Sequence, residues 1–310
     1  MIVDLPNTTT SKISKELVLH RERSGATALG RVLTLIVDVD HRGLEKAIEA
    51  ATEASREHPM RVITIARPKD DGEARLDAQI RIGGDAGASE VIVLEPTGEA
   101  NSHDEALVTG LLLPDAPVVT WWSSSAPSYV SQSALGRLSQ RRITDVMATD
   151  NPVESLRELS NCYVPGDTDL AWTRITNWRA QLAAALDQRP YFRVSKIELA
   201  HDPDNAAGVL LGAWLSHQLD APVERYESSV VATRGIHGVR LHRENGPIIL
   251  EPIDQNRVKL SQPDQPAQEI TLPRRDLSDC IAEELRRLDS DTLYGEIIRH
   301  ALPRYLEQYG

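Results

Sequence analysis

The 310-residue sequence contains few cysteines, few aromatic residues and no long apolar run. Its two cysteines, Cys162 and Cys280, form no CxxC pair, so neither a zinc site nor a thioredoxin-like motif is expected. No segment reaches the roughly 20 apolar residues that a membrane span needs. The amino-terminal residues also lack the basic-then-apolar layout of a secretory signal. We therefore expect a cytoplasmic protein that has two free thiols and does not enter a membrane.

Positive charge is also scarce. The chain has 34 Lys and Arg residues against 46 Asp and Glu residues, a formal net charge of −12. A nucleic-acid-binding surface would need a basic stripe, so nucleic acid is not expected as a partner. Hydrophobic residues make up 41% of the sequence, which is typical of a globular protein long enough for one large domain or two smaller ones.

The hydrophobic pattern of the first half predicts a mixed sheet. Residues 31–40 and 60–66 are near-continuous apolar runs, typical of strands covered on both faces, and the segment between them has helical spacing. This order predicts a strand–helix–strand unit. Residues 75–82 alternate strictly, which indicates a half-exposed antiparallel strand near a sheet edge. Further strands are predicted at 90–96, 115–122 and 141–148, with a helix at 102–113.

The second half begins with predicted helices at 152–160 and 167–188 and continues as a strand at 191–200 and a helix at 202–220. Several short strands follow, and the Asn245-Gly246 pair between two of them indicates a hairpin in an antiparallel meander. Two helices close the chain.

We predict an α/β protein, α+β in part, with two α/β domains. Residues 1–165 form a domain with a mixed sheet and a βαβ unit. Residues 166–310 form a domain with a meander and helices, which opens on the helix at 167–188.

Motifs that carry chemistry are mostly missing. The glycine-rich stretch GGDAGASE links two predicted strands and matches neither a phosphate-binding loop nor a dinucleotide fingerprint. A turn is the favoured interpretation of Gly83, Gly84 and Gly87, and a ligand loop is the alternative. His237 and His242 lie five apart on one predicted strand and so face opposite sides, which makes them poor co-ligands. We predict no metal, no cofactor and no catalytic residues, and we interpret His201-Asp202 as a helix cap.

The segment PGDTDLAWTRITNWRAQLAAALDQ carries two of the five tryptophans. On a helical wheel, Trp178 lies on the apolar stripe and is predicted to be core. Trp172 lies on a second face that also carries Asp169 and Arg179. Such a mixed face is typical of a contact between domains or with another protein. The alternative is that Trp172 packs inside its own domain. The aspartates at the start of the segment are interpreted as helix caps.

These residues also carry a family resemblance. The sequence resembles the OpcA family, the glucose-6-phosphate dehydrogenase assembly proteins, and is similar to its actinobacterial members. The resemblance is carried by MIVDLP, ALGRVLTLIV, EASREHPMRVI, RLDAQIRIGGDAGASEVIVL, LLLPDAPVVTWW, QRRITD and the two-tryptophan segment. It implies a protein without catalytic activity whose partner is glucose-6-phosphate dehydrogenase.

The expected function is therefore that of a non-catalytic assembly factor or allosteric activator of that dehydrogenase. The predicted partner-binding residues are Trp121, Trp122, Arg141, Arg142, Asp169, Trp172 and Arg179. The alternative is a sugar-phosphate- or nucleotide-binding enzyme or sensor that uses the loop at 83–89.

Overall fold

The computed structural model describes residues 2–24, 32–68, 72–82, 90–227 and 235–309. The chain forms two compact units, and each unit is assembled from separate stretches. Unit 1 comprises Met1–Ala148, Gly166–Thr168 and Asp276–Ser290, and unit 2 comprises Thr149–Pro165, Asp169–Arg275 and Asp291–Gly310. The predicted boundary between residues 165 and 166 stays a prediction, because unit 1 and unit 2 each combine stretches from both sides of it. The prediction of two α/β domains is confirmed as a fold class.

Eight strands build the first sheet. They are β1 (Ile2–Leu5), β2 (Leu33–Asp40), β3 (Met60–Arg67), β4 (Arg75–Ile82), β5 (Glu90–Thr97), β6 (Val118–Trp122), β7 (Arg141–Thr144) and β8 (Asp167–Asp169). Their spatial order is β1-β4-β5-β3-β2-β6-β7-β8. Strand β1 was not predicted from the sequence, and it pairs antiparallel with β4.

The centre of this sheet is parallel. Strand β2 pairs parallel with β3 on one side and with β6 on the other, while β5 and β7 continue the parallel pairing outward. Both faces of β2 and β3 are buried, which explains their continuous apolar runs. The chain builds outward from β2 to β3 and β5, then returns to the other side of β2 for β6 and β7. The strand order therefore reverses between β2 and β6.

Six strands build the second sheet, in unit 2. They are β9 (Val194–His201), β10 (Val223–Arg225), β11 (Ile236–Arg243), β12 (Ile248–Pro252), β13 (Arg257–Ser261) and β14 (Gln268–Thr271). The order is β10-β9-β11-β12-β13-β14. Strands β11 to β14 form the predicted antiparallel meander. Strand β10 pairs parallel with β9 instead of joining the meander.

The helices are α1 (Thr10–Ser24), α2 (Leu44–Ala54), α3 (Asp104–Val108), α4 (Ala134–Leu138), α5 (Pro152–Cys162), α6 (Leu170–Arg174), α7 (Thr176–Leu186), α8 (Ala206–Leu219), α9 (Leu277–Arg286), α10 (Thr292–Glu296) and α11 (Leu302–Tyr309). A π-helical segment at Ile297–Ala301 joins α10 to α11. Short 3-10 turns flank α3, so the helix predicted at 102–113 is only partly α-helical. In the described ranges, no helix is both long and apolar enough to cross a membrane.

The apolar residues of α8 are explained by its position in unit 2. Ten consecutive residues of this helix, from Ala206 to Leu215, are buried, as expected of a helix that is hydrophobic on all sides. The interpretation of His201-Asp202 as its cap is wrong. Asn205 caps the helix, and its side-chain oxygen accepts a hydrogen bond of 2.6 Å from the Gly208 N–H. Asp202 instead accepts hydrogen bonds from the Gly235 N–H and from His237.

The prediction of one continuous helix over 167–188 is also wrong. Asp167–Asp169 forms the edge strand β8, and the following helix is interrupted at Ile175, whose φ and ψ of −95° and 5° leave the α-helical region. Ala171, Ile175 and Leu182 of the predicted apolar stripe are buried on both sides of the interruption. Trp178, predicted to be core, is only half-buried, whereas Trp172 is 1% exposed.

Candidate functional site

Four of the predicted partner-binding residues lie on neighbouring strands in unit 1. Trp121 and Trp122 end β6 and are 0% and 2% exposed. Arg141 forms a buried ion pair with Glu284 of α9. Arg142, also buried, pairs with Asp167 and donates to the Ser139 carbonyl. These side chains hold strands and helices of their own unit together.

The other three predicted residues lie in unit 2. Asp169 is a helix cap, as predicted, and accepts a hydrogen bond of 2.8 Å from the Ala171 N–H. The Trp172 indole N–H donates to a carboxylate oxygen of Asp291 at 2.9 Å. The guanidinium of Arg179 lies 3.6 Å from the Trp172 ring centre, and the Tyr294 ring packs against the same indole at 5.7 Å.

The alternative interpretation, that Trp172 packs inside its own domain, therefore describes its position. Both carboxylate oxygens of Asp291 accept hydrogen bonds. One accepts from the Trp172 indole N–H, and the other accepts from the Tyr294 N–H and so caps α10. Of the seven predicted residues, Arg179 alone is half-exposed. Partner binding by the set stays a prediction. The six buried members could contribute to it only by shaping the surface around them.

The glycines at Gly83, Gly84 and Gly87 lie outside the described residues. Their flanks can be placed. Ile82 and Glu90 pair with each other, and Glu90 begins β5 at the amino edge of the parallel strands. Ligands of open α/β sheets bind at the opposite, carboxyl edge.

A cleft of about 350 Å³ opens at that carboxyl edge. We call it the switch-point cleft, because it lies where the strand order reverses between β2 and β6. Its walls include Asp38 of β2, Arg67 of β3, Trp122 of β6 and Asp104, the first residue of α3. The loop after β6 and the start of α4 complete it. Of these residues, only Trp122 belongs to a site predicted from the sequence, the partner-binding set.

Arg67 organises the polar wall of the cleft. Its Nε and Nη2 donate to the two carboxylate oxygens of Asp38 at 3.0 and 2.6 Å, so the pair is bidentate. Its Nη1 lies 2.8 Å from Asp104 Oδ1 and donates to Asn101. The guanidinium of Arg67 thus binds two segments that are far apart in the sequence, β2 and residues 101–104.

Burial and ion pairing act in opposite directions on the charged groups of this cluster. Burial raises the pKa of Asp38, and the hydrogen bond and charge of Arg67 lower it only in part. Burial alone would lower the pKa of Arg67, but its bonds to the two carboxylates outweigh burial and raise it, so the guanidinium stays charged. The cluster contains two carboxyl groups and one guanidinium. Shifted pKa values of this kind concentrate at functional sites.

A second charged cluster lies on the sheet of unit 2. Glu198 of β9 contacts Lys196 at 2.9 Å and His242 of β11 at 3.2 Å. The hydrogen bond from Lys196 lowers the pKa of Glu198 although burial opposes the change. His237 instead donates to Asp202, so the two histidines have different partners, as their predicted orientation implied. Among the described residues, no group of three or more His, Cys, Asp or Glu side chains could hold a metal ion.

The sequence contains one signal that would have found the cleft. Asp38 interrupts the otherwise apolar strand LTLIVDVD, and Arg67 directly follows the apolar run of β3. A charged residue near the carboxyl end of a strand buried on both faces needs a charged partner. Two such residues on adjacent predicted strands predict an ion pair at the edge where α/β sheets bind ligands.

Fold and site together define a class. The protein has two α/β units, and the first has a doubly wound parallel core with a cleft at its switch point. Residues 51–161 match the family model described as the glucose-6-phosphate dehydrogenase subunit N-terminal domain, and residues 165–298 match the model of the corresponding C-terminal domain. The chain belongs to the OpcA family, as the resemblance implied.

A curated relative is the "Putative OxPP cycle protein OpcA" of Synechocystis sp., which is 24% identical over 197 residues. The match covers 59% of this chain and 40% of that protein, so the chain spans less than half of the relative's length. Solved structures of oxidoreductases from Sinorhizobium meliloti and Pseudomonas syringae align over 89% and 90% of this chain, and over 89% and 94% of their own chains. Their TM-scores are 0.42 and 0.41 and their identities 10% and 11%, which is too low to indicate what this chain does.

Proposed function

We propose that this protein binds glucose-6-phosphate dehydrogenase and favours its active oligomer or conformation without catalysing a reaction itself. The observation that carries the proposal is the match of both halves of the chain to the two domain models of a dehydrogenase subunit. The curated relative, named for the OxPP cycle, supports the same pathway.

An activator of this kind must bind one state of the enzyme more tightly than another, because only differential affinity shifts an equilibrium between states. A coupling free energy of about 1–3 kcal/mol changes affinity by roughly 5- to 150-fold. The coupling is also reciprocal. A substrate that favours the active state must strengthen the binding of this protein by the same factor by which the protein strengthens binding of that substrate.

Exposure supports a choice of candidate contact residues within the two-tryptophan segment. Trp172 is buried, whereas Trp178 and Arg179 on α7 are half-buried and reach the surface. Tryptophan and arginine are the residue types most enriched among binding hot spots. We therefore assign Trp178 and Arg179 to the partner-binding surface in this proposal.

Two titrations test the function. Initial rates of the dehydrogenase are measured against increasing concentrations of this protein, and kcat and KM for glucose 6-phosphate are fitted separately. The affinity of the protein for the dehydrogenase is then measured with and without the substrate. We expect an activity change that saturates and a substrate-dependent affinity. Unchanged rates and unchanged affinity would refute the proposal.

Trp178→Ala and Tyr191→Ala provide a matched pair of variants. Tyr191 is an exposed aromatic residue elsewhere in unit 2, at 62% exposure. If α7 carries the contact, Trp178→Ala weakens activation and Tyr191→Ala does not. If both variants activate the dehydrogenase as strongly as wild type does, Trp178 is not part of the proposed surface.

A further inference from the structure

The switch-point cleft lies where an open α/β sheet binds small molecules. Its residues Asp38, Arg67 and Trp122 come from three adjacent parallel strands, at the edge where the strands end and the order reverses. In such sheets the connections on the two sides of the reversal lead away from each other and leave a crevice for a ligand. None of the residues that line the cleft belongs to the glycine-rich segment, so the cleft is a separate candidate.

The size of the cleft limits the ligand. Its volume of about 350 Å³ lies near the lower end of the range of roughly 300–1,000 Å³ found for small-molecule sites. A monosaccharide or a nucleoside fits this volume better than a dinucleotide. The walls combine polar side chains with apolar ones, Trp122, Ala126 and Leu135 among them, which is the usual composition of such a site.

The charges of the cleft disfavour a phosphate. Asp38 and Asp104 supply two carboxylates, and Arg67, the one guanidinium among the described residues that line the cleft, is engaged by both of them. A carboxylate has about four lone-pair positions, so each retains acceptor capacity beyond its contact with Arg67. The polar wall therefore offers acceptors to a ligand that donates hydrogen bonds, and it repels anions.

The amino terminus of α2 also disfavours a phosphate-containing ligand. The Gly43 N–H, at the amino terminus of this helix, donates to a carboxylate oxygen of Asp40 at 2.7 Å. In dinucleotide-binding folds the pyrophosphate occupies the corresponding helix start, where N–H groups must be open to it. Here a carboxylate stands beside that position, so a pyrophosphate would meet a like charge.

We propose that the switch-point cleft binds an uncharged ligand with adjacent hydroxyl groups, a free sugar or a nucleoside, and that Asp104 and Asp38 accept hydrogen bonds from those hydroxyls. A carboxylate at a strand end that accepts from ribose hydroxyls is established chemistry for this class of fold. The apolar side of the cleft contacts the ring or base. The ligand binds to this chain alone, so the inference does not depend on the dehydrogenase.

Saturation-transfer NMR on the purified chain tests the proposal. The probes are ribose, glucose and adenosine, their phosphates (ribose 5-phosphate, glucose 6-phosphate and AMP), and the diamine putrescine. We expect transfer to at least one uncharged probe at millimolar concentration or below, and weaker transfer to its phosphate. Binding of sugars without adenosine, or of adenosine without sugars, identifies which source of the diol the cleft takes. Binding of phosphates or putrescine alone, or of no probe up to about 10 mM, would overturn the proposal.

Three variants locate the binding. Asp104→Asn removes one charged acceptor at constant shape, and Ala126→Leu fills the cleft from its loop side. Glu105→Gln is the control, because Glu105 is the neighbouring carboxylate and does not line the cleft. Loss of a charged hydrogen-bond partner weakens binding by roughly tenfold or more. We expect this loss for Asp104→Asn, a loss of binding for Ala126→Leu because the added side chain occupies the cleft, and unchanged affinity for Glu105→Gln. Unchanged affinity in Ala126→Leu, with circular dichroism confirming the fold, would contradict the location.

Discussion

Replacement of Trp172 by alanine tests the packing of unit 2 most severely. The side chain is 1% exposed, donates to Asp291, and lies between Arg179 and Tyr294. Truncation of a buried tryptophan to alanine costs about 3–5 kcal/mol of unfolding free energy, because apolar burial is lost and a cavity remains. The lost hydrogen bond to a carboxylate contributes within that total and does not add to it as an independent amount.

The comparison with Trp178→Ala makes the prediction specific. Trp178 is half-buried, so its truncation should cost about 1 kcal/mol, the typical value for a point substitution. Urea unfolding followed by far-UV circular dichroism measures both variants against wild type. Because the chain has two units, each transition is fitted separately.

A third variant separates the indole N–H from the ring. Trp172→Phe keeps an aromatic side chain beneath Arg179 but cannot donate to Asp291. It should lose less stability than Trp172→Ala. If Trp172→Ala costs about 1 kcal/mol or less and Trp178→Ala is the more costly of the two, the assignment of Trp172 to the core is refuted.

Two further predictions concern charges. Glu284→Ala removes the carboxylate that pairs with the buried Arg141 and should lower the free energy of unfolding in urea by about 3–5 kcal/mol. Arg286→Ala, which breaks an exposed ion pair of the same helix, should lower it by at most about 1 kcal/mol. Equal costs would contradict the burial argument. Because the pKa of Glu198 lies below its ordinary value of 4.5, its contribution to stability is present above that pH and is lost as the pH falls through the lowered pKa. The melting temperature of Glu198→Gln should therefore differ from that of wild type at neutral pH and converge with it in acid. A stability difference that is independent of pH would contradict the assignment. Glu307→Gln, at an exposed position of α11, serves as the control.

The parts of the fold that the sequence predicts are those in which burial dictates the pattern. Strands β2 and β3 are covered on both faces, so their residues must be apolar throughout, and the βαβ unit follows. The alternation of β4 reflects its antiparallel position near an edge of the sheet. The turn residues between the strands of the meander predict its hairpins. In these elements, the burial of each residue follows a regular pattern along the sequence, so the sequence predicts it.

The interruption at Ile175 could not be predicted in this way. Residues 170–186 contain neither glycine nor proline, and their apolar spacing continues across the break. Both halves are locally regular, so no short-range pattern reveals the break. Trp172 is buried by Arg179 on α7 and by Tyr294, which is more than 100 residues away in the sequence, so the helical wheel alone could not predict its burial.

The switch-point cleft could be predicted only in part. Asp38 and Arg67 each stand out at the end of an apolar strand, but Asp104 lies on a short helix with no distinctive signal. What brings the three together is the order of strands in the sheet, which depends on pairings between distant segments.

The most direct test of the proposed function is sedimentation velocity of this protein, labelled at low concentration and titrated with glucose-6-phosphate dehydrogenase. Our account predicts a faster-sedimenting complex at micromolar dehydrogenase or below, and Trp178→Ala should weaken its formation by roughly 30-fold if Trp178 is a binding hot spot. A label that sediments at the rate of the free protein up to about 10 μM dehydrogenase, with and without glucose 6-phosphate, would contradict it.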